Sequence, residues 1–200
     1  NQTLELKFII GHFADNHLKK FIHPNDAISG TNSRTFGKSY AMIRYADVLL
    51  WYAEALNNLT TAHTVELGGE TYNIDRNTDE IRAAFNQVRH RAGLPGITYD
   101  ELADASRVQE LIEHERMIEF IGENKRFYDV RRWGIYEKVE SEPITGMNIE
   151  SPKDGFYRRV VPNTVAIGQR IVNKRLILVP IPLSEVRRLP SLDQNPGWED

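Results

Sequence analysis

Two glutamates on the apolar side of a predicted helix are the residues of this chain whose type and spacing could do chemistry. The segment from Val108 to Gly134 reads VQELIEHERMIEFIGENKRFYDVRRWG, and on a helical wheel Glu115 and Glu119 share a stripe with its aliphatic side chains. Carboxylates four residues apart have their Cβ atoms about 6 Å apart, close to the spacing of the acid and the nucleophile in retaining glycosidases. The pair therefore indicates either a catalytic site or a buried ion-pair network.

The arginines near these glutamates favour the ion-pair network. A buried ionised carboxylate is costly unless it is paired and hydrogen-bonded. Guanidinium groups lower the pKa of a neighbouring carboxyl, whereas a general acid needs a raised pKa. Arg89 and Arg91, near the end of the preceding predicted helix, could also reach the two glutamates or remain solvated charges. The residues that we assign to a structural ion-pair network are Glu115, Glu119, Arg126, Asp129, Arg131 and Arg132.

Other catalytic and cofactor chemistry has little support in the sequence. The six histidines do not form an H-E-x-x-H motif, and there is no P-loop, no G-x-G-x-x-G and no G-x-S-x-G. The run DRNTDE lacks the glycine and the later glutamate of a calcium loop. With no cysteine there is no disulfide and no thiol catalysis. We therefore predict no catalytic residue, no metal site and no cofactor.

Length and charge bound the class of protein. Two hundred residues suit one domain, and a net charge of −3 gives no electrostatic reason to expect nucleic acid as a partner. No apolar run approaches the length of about 18 residues that a transmembrane helix needs. Because the chain opens on NQTLELKF without a targeting sequence, we interpret it as the C-terminal fragment of a longer protein.

Three helices must position the acids and the arginines. Tyr40–Asn58 is apolar on two sides, which predicts a helix packed between neighbours with Trp51 and Tyr52 in the core. The next helix is capped by Asn77 or Thr78 and stopped by Gly93. The third is the predicted helix that carries Glu115 and Glu119. Ser184, followed by Glu185, is predicted to cap one last short helix.

The remaining segments are predicted to be irregular. The loop from Leu59 to Asn77 is long for a connection between packed helices, and long loops tend to be functional or disordered. We treat the chain as a single domain with a poorly assigned lead-in (1–38), a helical core (39–134) and an irregular C-terminal segment (135–200).

Four blocks of sequence, in this order, resemble the C-terminal half of SusD/RagB-like nutrient-binding proteins. They are RYADVLLWYAEAL, FNQVRHRAGLP, LIEHERMIEFIGENKRFYDVRRWG and VPIPLSEVRRLPSLDQNPGW, and the resemblance covers about Ser39 to Trp198. The family's ER-x-x-E and R-x-x-D-x-R-R-W patterns are both matched. One departure is that Gly122 and Glu123 read GE where the family commonly has EG.

The resemblance implies a mainly α fold of tetratricopeptide-like helical pairs, with long irregular loops and few short strands. Proteins of this family are lipid-anchored on the outer face of the outer membrane of Bacteroidetes-type bacteria. They capture glycans, or in some members peptides, and deliver them to a SusC-like TonB-dependent transporter. They are not enzymes, and their lipid anchor is absent from this fragment.

Glycan capture would require aromatic rings against sugar faces and polar side chains for the hydroxyls, on exposed loops. The ligand-binding candidates are Tyr72, Tyr157 and Phe36, whereas Trp198 is better explained by packing. Three alternatives stay open: the same role with a peptide or another nutrient, a glycoside hydrolase using Glu115 and Glu119, and an intracellular helical-repeat scaffold.

Overall fold

The computed structural model describes residues 20, 23, 25–26, 34–148, 158–161, 170–189 and 191–199. Its architecture is mainly helical with few strands, which confirms the predicted fold class. The chain divides into two compact units, Lys20–Arg126 and a unit that includes Phe127–Asp200. The elements of the first unit carry all of the candidate site.

The elements have the following bounds in chain order. The first unit contains α1 (Tyr45–Asn57), β1 (His63–Leu67), β2 (Glu70–Ile74), α2 (Thr78–Arg91), α3 (Tyr99–Leu102) and α4 (Ala105–Glu119). Helix α5 (Lys125–Arg132) contains the division between the units. The second unit continues with α6 (Tyr136–Glu140), β3 (Gly146–Met147), β4 (Arg159–Val160), a 3-10 helix (Lys174–Ile177) and α7 (Leu183–Arg188).

The core of the first unit forms where α1 packs against α2 and α4. On α1, Ala46, Leu50 and Ala53 recur at helical spacing and are buried. Their small and branched side chains let the neighbouring helices approach closely. The same core includes Leu56, Ile81, Ala84, Phe85, Val88, Ile97, Leu102, Val108, Ile112 and Phe120.

The second face of α1 is not buried as predicted. Val48 is 47% exposed, Trp51 39% and Tyr52 46%. The prediction that Trp51 and Tyr52 lie in the core was therefore wrong. The stripe of α1 that includes Leu50 packs against α2 and α4, whereas the face with Val48, Trp51 and Tyr52 stays partly exposed.

Helix α2 begins and ends where its sequence predicts. The Asn77 side chain accepts hydrogen bonds from the backbone N–H groups of Asp79 and Glu80, each at 3.1 Å. Gly93 follows the helix with a φ of 73°, a conformation that side chains with a Cβ disfavour. Local capping therefore fixes both ends of this helix.

The segment between α1 and α2 is a β-hairpin, whereas the sequence analysis predicted an irregular loop. Strands β1 and β2 pair antiparallel, with Val65 opposite Tyr72 and Leu67 opposite Glu70. Gly68 and Gly69 form the turn with φ values of 64° and 86°. Two consecutive residues with positive φ match the twist of a tight hairpin. The signal was present as alternating polar and apolar residues on either side of the Gly-Gly pair.

The second unit is held by its own polar contacts. The Arg131 guanidinium donates to the carbonyl oxygens of Leu176 and Ile177 at 3.1 and 3.2 Å. The Trp198 indole N–H donates to the carbonyl oxygens of Arg175 and Leu178 at 3.0 and 3.2 Å. The Trp198 indole is therefore bonded to the backbone of its own unit.

Helix α7 differs from the prediction at its start. It begins at Leu183 after Pro182, and no side chain caps its first turn. Ser184 lies inside the helix and is not its cap. Pro182 occupies the N-cap position with φ −52° and ψ 132°, so the helix starts before Ser184 could cap it.

Candidate functional site

The hairpin and the two helices that flank it enclose an open groove of about 480 Å³ within the first unit. Because side chains alternate along a strand, Val65 and Leu67 of β1 share one face of the hairpin with Tyr72 and Ile74 of β2. All four line the groove. The lining is completed by Tyr52, Leu56, Asn73, Asp75, Asn77 and Glu80.

Glu80 is held in the groove by two neighbours. The Tyr52 hydroxyl donates to one carboxylate oxygen of Glu80, and the Asn77 side-chain amide donates to the other at 2.8 Å. The hydrogen bond to Glu80 raises the pKa of Tyr52, and burial raises it further. The acid also lies in the first turn of α2, where the helix dipole favours negative charge. This arrangement fixes a carboxylate and a tyrosine ring side by side before any ligand arrives.

The groove combines rings with hydrogen-bonding groups. Tyr72 is 50% exposed, and Tyr52 is also half-exposed, so each can offer ring surface to a ligand. Tyrosine has an apolar body and a polar tip. Asn73 supplies a side-chain amide and Asp75 supplies carboxylate acceptors, while the Asn77 amide caps α2 and holds Glu80. A site of this kind can bind a ligand that carries both apolar faces and many hydroxyl groups.

A smaller groove of about 320 Å³ lies between α1 and α2. It is lined by both Tyr52 and Glu80, which also line the first groove. The two grooves therefore meet at this pair of residues. The remaining lining residues of the smaller groove are Tyr45, Val48, Leu49, Ala83, Ala84 and Gln87.

The two glutamates of the sequence analysis lie in ion pairs on α4. The Glu115 carboxylate is 2.7 Å from the Arg89 guanidinium. Glu119 lies 2.6 Å from Arg91 and 2.8 Å from Arg44. The sequence had indicated Arg89 and Arg91 as groups within reach, but it gave no signal for Arg44, which lies immediately before α1. Neither glutamate lines either groove.

Arg44 joins a third carboxylate to this cluster. Its guanidinium donates to both carboxylate oxygens of Glu123 at 2.9 Å, and Lys20 pairs with Glu123 at 2.6 Å. Burial acts to raise the pKa of Glu123, but the hydrogen bonds from Arg44 and Lys20 outweigh it, so the pKa is lowered. Glu123 is one of the two residues at which this chain reads GE where the family commonly has EG.

The other residues assigned to the network lie on α5. Arg126 is half-buried in the first turn of this helix. Arg132 pairs with the buried Asp129 at 2.9 Å. Arg131 donates to carbonyl oxygens and lies 3.6 Å from the centre of the Phe127 ring. The structure therefore places Arg131 and Arg132 in contacts of the second unit.

Of the three ligand-binding candidates, Tyr72 lies in the groove. Phe36 lines neither groove; its ring stacks on His23 at 4.5 Å, and Arg34 lies 5.7 Å from its centre. Tyr157 lies outside the described residues. The sequence analysis missed Tyr52 as a ring of the site, because its position on an apolar helix face predicted burial.

Two absences hold for the described part of the chain. Its histidine, aspartate and glutamate side chains form no cluster of three or more that could hold a metal ion. None of its helices combines the length and the hydrophobicity that crossing a membrane requires.

Comparison with known proteins connects this architecture to one family. The SusD-like protein P2 of Formosa agariphila is 27% identical over 194 residues, in an alignment that covers 91% of this chain and 30% of that protein. A solved structure named BT4246 has a TM-score of 0.57 and 27% identity over 79% of this chain, which is 24% of its own chain. Its selenomethionine form has a TM-score of 0.61 and covers 83% of this chain and 26% of its own. The chain thus spans about a third or less of the length of these relatives.

The family model gives the widest match. The model of the SusD family matches residues 14–198 and so includes both described units. The chain therefore belongs to the SusD family.

Proposed function

We propose that this chain is part of a cell-surface protein that binds oligo- or polysaccharides and delivers them, uncleaved, to a TonB-dependent outer-membrane transporter. The SusD family is a surface-associated lipoprotein family connected with nutrient and glycan binding, and its members are substrate-binding proteins that do not catalyse. The single observation that carries the proposal for this chain is the groove where Tyr52 and Tyr72 lie among amide and carboxylate groups.

The chemistry of the groove supports a glycan as the ligand. A sugar ring has apolar C–H faces that pack on an aromatic ring and hydroxyl groups that exchange hydrogen bonds with planar polar side chains. The half-exposed Tyr72 supplies the ring, while Asn73 and Asp75 supply donors and acceptors. We propose Tyr72 and Tyr52 as the residues that contact the ligand.

The ion pairs support a role without catalysis. A retaining glycosidase needs one protonated and one ionised carboxyl beside the bound sugar. Glu115 and Glu119 instead contact guanidinium groups at 2.6 to 2.8 Å and lie outside both grooves. Their proposed role is to stabilise the packing of α4 against the end of α2 and the residue before α1.

The experiment is isothermal titration of the protein with a panel of soluble neutral polysaccharides, acidic polysaccharides and peptides, with a reducing-sugar assay on the same samples. The proposal expects heat of binding with at least one glycan and no increase in reducing ends. Binding to peptides alone would transfer the same role to a peptide ligand. Release of reducing sugar that Glu115→Gln abolishes would support the hydrolase and contradict the proposal.

A further inference from the structure

We propose that the tyrosine-lined groove selects uncharged glycans and rejects glycans that carry carboxylate or sulfate groups. This inference rests on the proposed function and adds the class of glycan. It follows from the sign of the charges around the groove, which is the same on the hairpin and on the helix that faces it.

The charged side chains that line the two grooves are acidic. Among the described lining residues these are Asp75 and Glu80, and Glu80 belongs to both grooves. The acids extend beyond the lining: the segment from His63 to Glu80 holds five acidic side chains and one arginine, a net charge of −4, whereas the whole chain carries −3. The hairpin and the start of α2 therefore carry a net negative charge.

The one arginine of this segment is directed to other groups. The Arg76 guanidinium donates to the Asn57 side-chain oxygen at 2.9 and 3.2 Å and to the Leu102 carbonyl oxygen at 2.9 Å. Arg76 is half-buried and does not line the groove. These contacts tie the end of the hairpin to α1 and α3, and they leave the Asp75 carboxylate on the groove side.

A carboxylate-lined groove distinguishes ligands by charge. The hydroxyl groups of a neutral sugar can donate hydrogen bonds to the carboxylates of Asp75 and Glu80, and these contacts favour binding. A uronate or sulfate group brings a like charge to the same place, where the described lining residues include no lysine or arginine to pair with it. Such repulsion is screened by salt, and it depends on each carboxylate that contributes to it.

The test compares one neutral glycan that binds the protein with the carboxymethylated derivative of the same glycan, by isothermal titration at low and high salt. We expect the derivative to bind at least about tenfold more weakly at low salt. The deficit should shrink at high salt and in Asp75→Asn. The matched control is Asp100→Asn, which removes an equally exposed acid from α3, outside both grooves, and should leave the deficit unchanged.

The outcomes separate this inference from the function on which it rests. Equal or tighter binding of the carboxymethylated glycan, with a ratio that Asp75→Asn does not change, would overturn the charge selection while leaving glycan capture intact. Equal effects of Asp75→Asn and Asp100→Asn would also overturn it, since the groove would then not be where the charge is sensed. Binding of cationic peptides with no glycan bound at all would overturn both proposals.

Discussion

Glu115 of α4 and Arg89 of α2 form an ion pair with 2.7 Å between the carboxylate oxygen and the guanidinium nitrogen. The Glu115 side chain is 4% exposed and the Arg89 side chain 22%, so the acid is the more deeply buried partner. Arg89 also donates to the carbonyl oxygen of Pro95 at 2.6 Å. The pair thus connects α4 to the end of α2 and to the turn that follows it.

We expect Glu115→Gln to lower the free energy of unfolding by about 2 to 3 kcal/mol, because the half-buried Arg89 loses its anionic partner at a buried position of α4. Thermal or urea unfolding measures this change. The control is Glu110→Gln, which removes the acid of an exposed pair with Arg107 on the same helix. Exposed pairs contribute little, so the control should cost less than about 1 kcal/mol. Equal midpoints for the two variants would contradict the buried pair.

Gly96 is a position where a methyl group has no room. A Cβ added there would lie within 2.5 Å of the Asn86 side-chain oxygen. That oxygen is buried and accepts the backbone N–H of Ile97 at 2.8 Å. We expect Gly96→Ala to cost about 1 to 3 kcal/mol of stability, since the buried amide must move from its partner.

The control for this prediction is Gly37→Ala. A Cβ at Gly37 would meet nothing within 4 Å, and its φ is not in the left-handed region. The substitution should therefore leave the unfolding midpoint nearly unchanged. Equal stability of Gly96→Ala and Gly37→Ala would contradict the close approach of the Asn86 side chain to Gly96.

The Asp26 carboxylate should remain ionised to low pH. The hydrogen bond from Lys38, together with the backbone N–H groups of Phe36 and His23, lowers the pKa of Asp26 from 3.8 to about 2. The pKa of Asp26 is lower in the folded protein than in the unfolded chain, so the ionised Asp26 stabilises the folded state. This stabilisation is present above pH 3.8 and is lost as the pH falls through about 2. Carboxyl-detected NMR titration measures this value directly.

Lys38→Met should move the pKa of Asp26 back toward 3.8, since it removes the cation at 2.6 Å. Lys138→Met, at an exposed lysine of the second unit, should leave it where it is. An Asp26 titration that is the same in all three proteins would show that Lys38 does not contact this carboxylate in solution.

The ends of α2 could be predicted from sequence because their determinants are local. The Asn77 cap and the stop at Gly93 lie within a few residues of the helix that they delimit. The hairpin is also encoded locally, by strand alternation around Gly68 and Gly69. The length of the segment alone predicts an irregular loop, so the hairpin can be read only from the alternation.

The candidate site could be predicted only in part. Tyr72 was recognised because it lies in a long connection between helices. Tyr52 was not, because the choice of which apolar face of α1 is buried depends on where α2 and α4 pack. The pairing of Glu119 with Arg44 likewise depends on tertiary packing between residues far apart in the chain. Sequence periodicity specifies a face of a helix but not its neighbour.

The most direct test of the account is titration of the protein and of Tyr72→Ala with the neutral glycan that binds best. Loss of the ring surface should weaken binding by about tenfold. The matched control is Tyr128→Ala, which removes an exposed tyrosine of the second unit and should change nothing. Unchanged affinity in Tyr72→Ala, or equal weakening in both variants, would contradict the claim that the groove beside the hairpin captures the glycan.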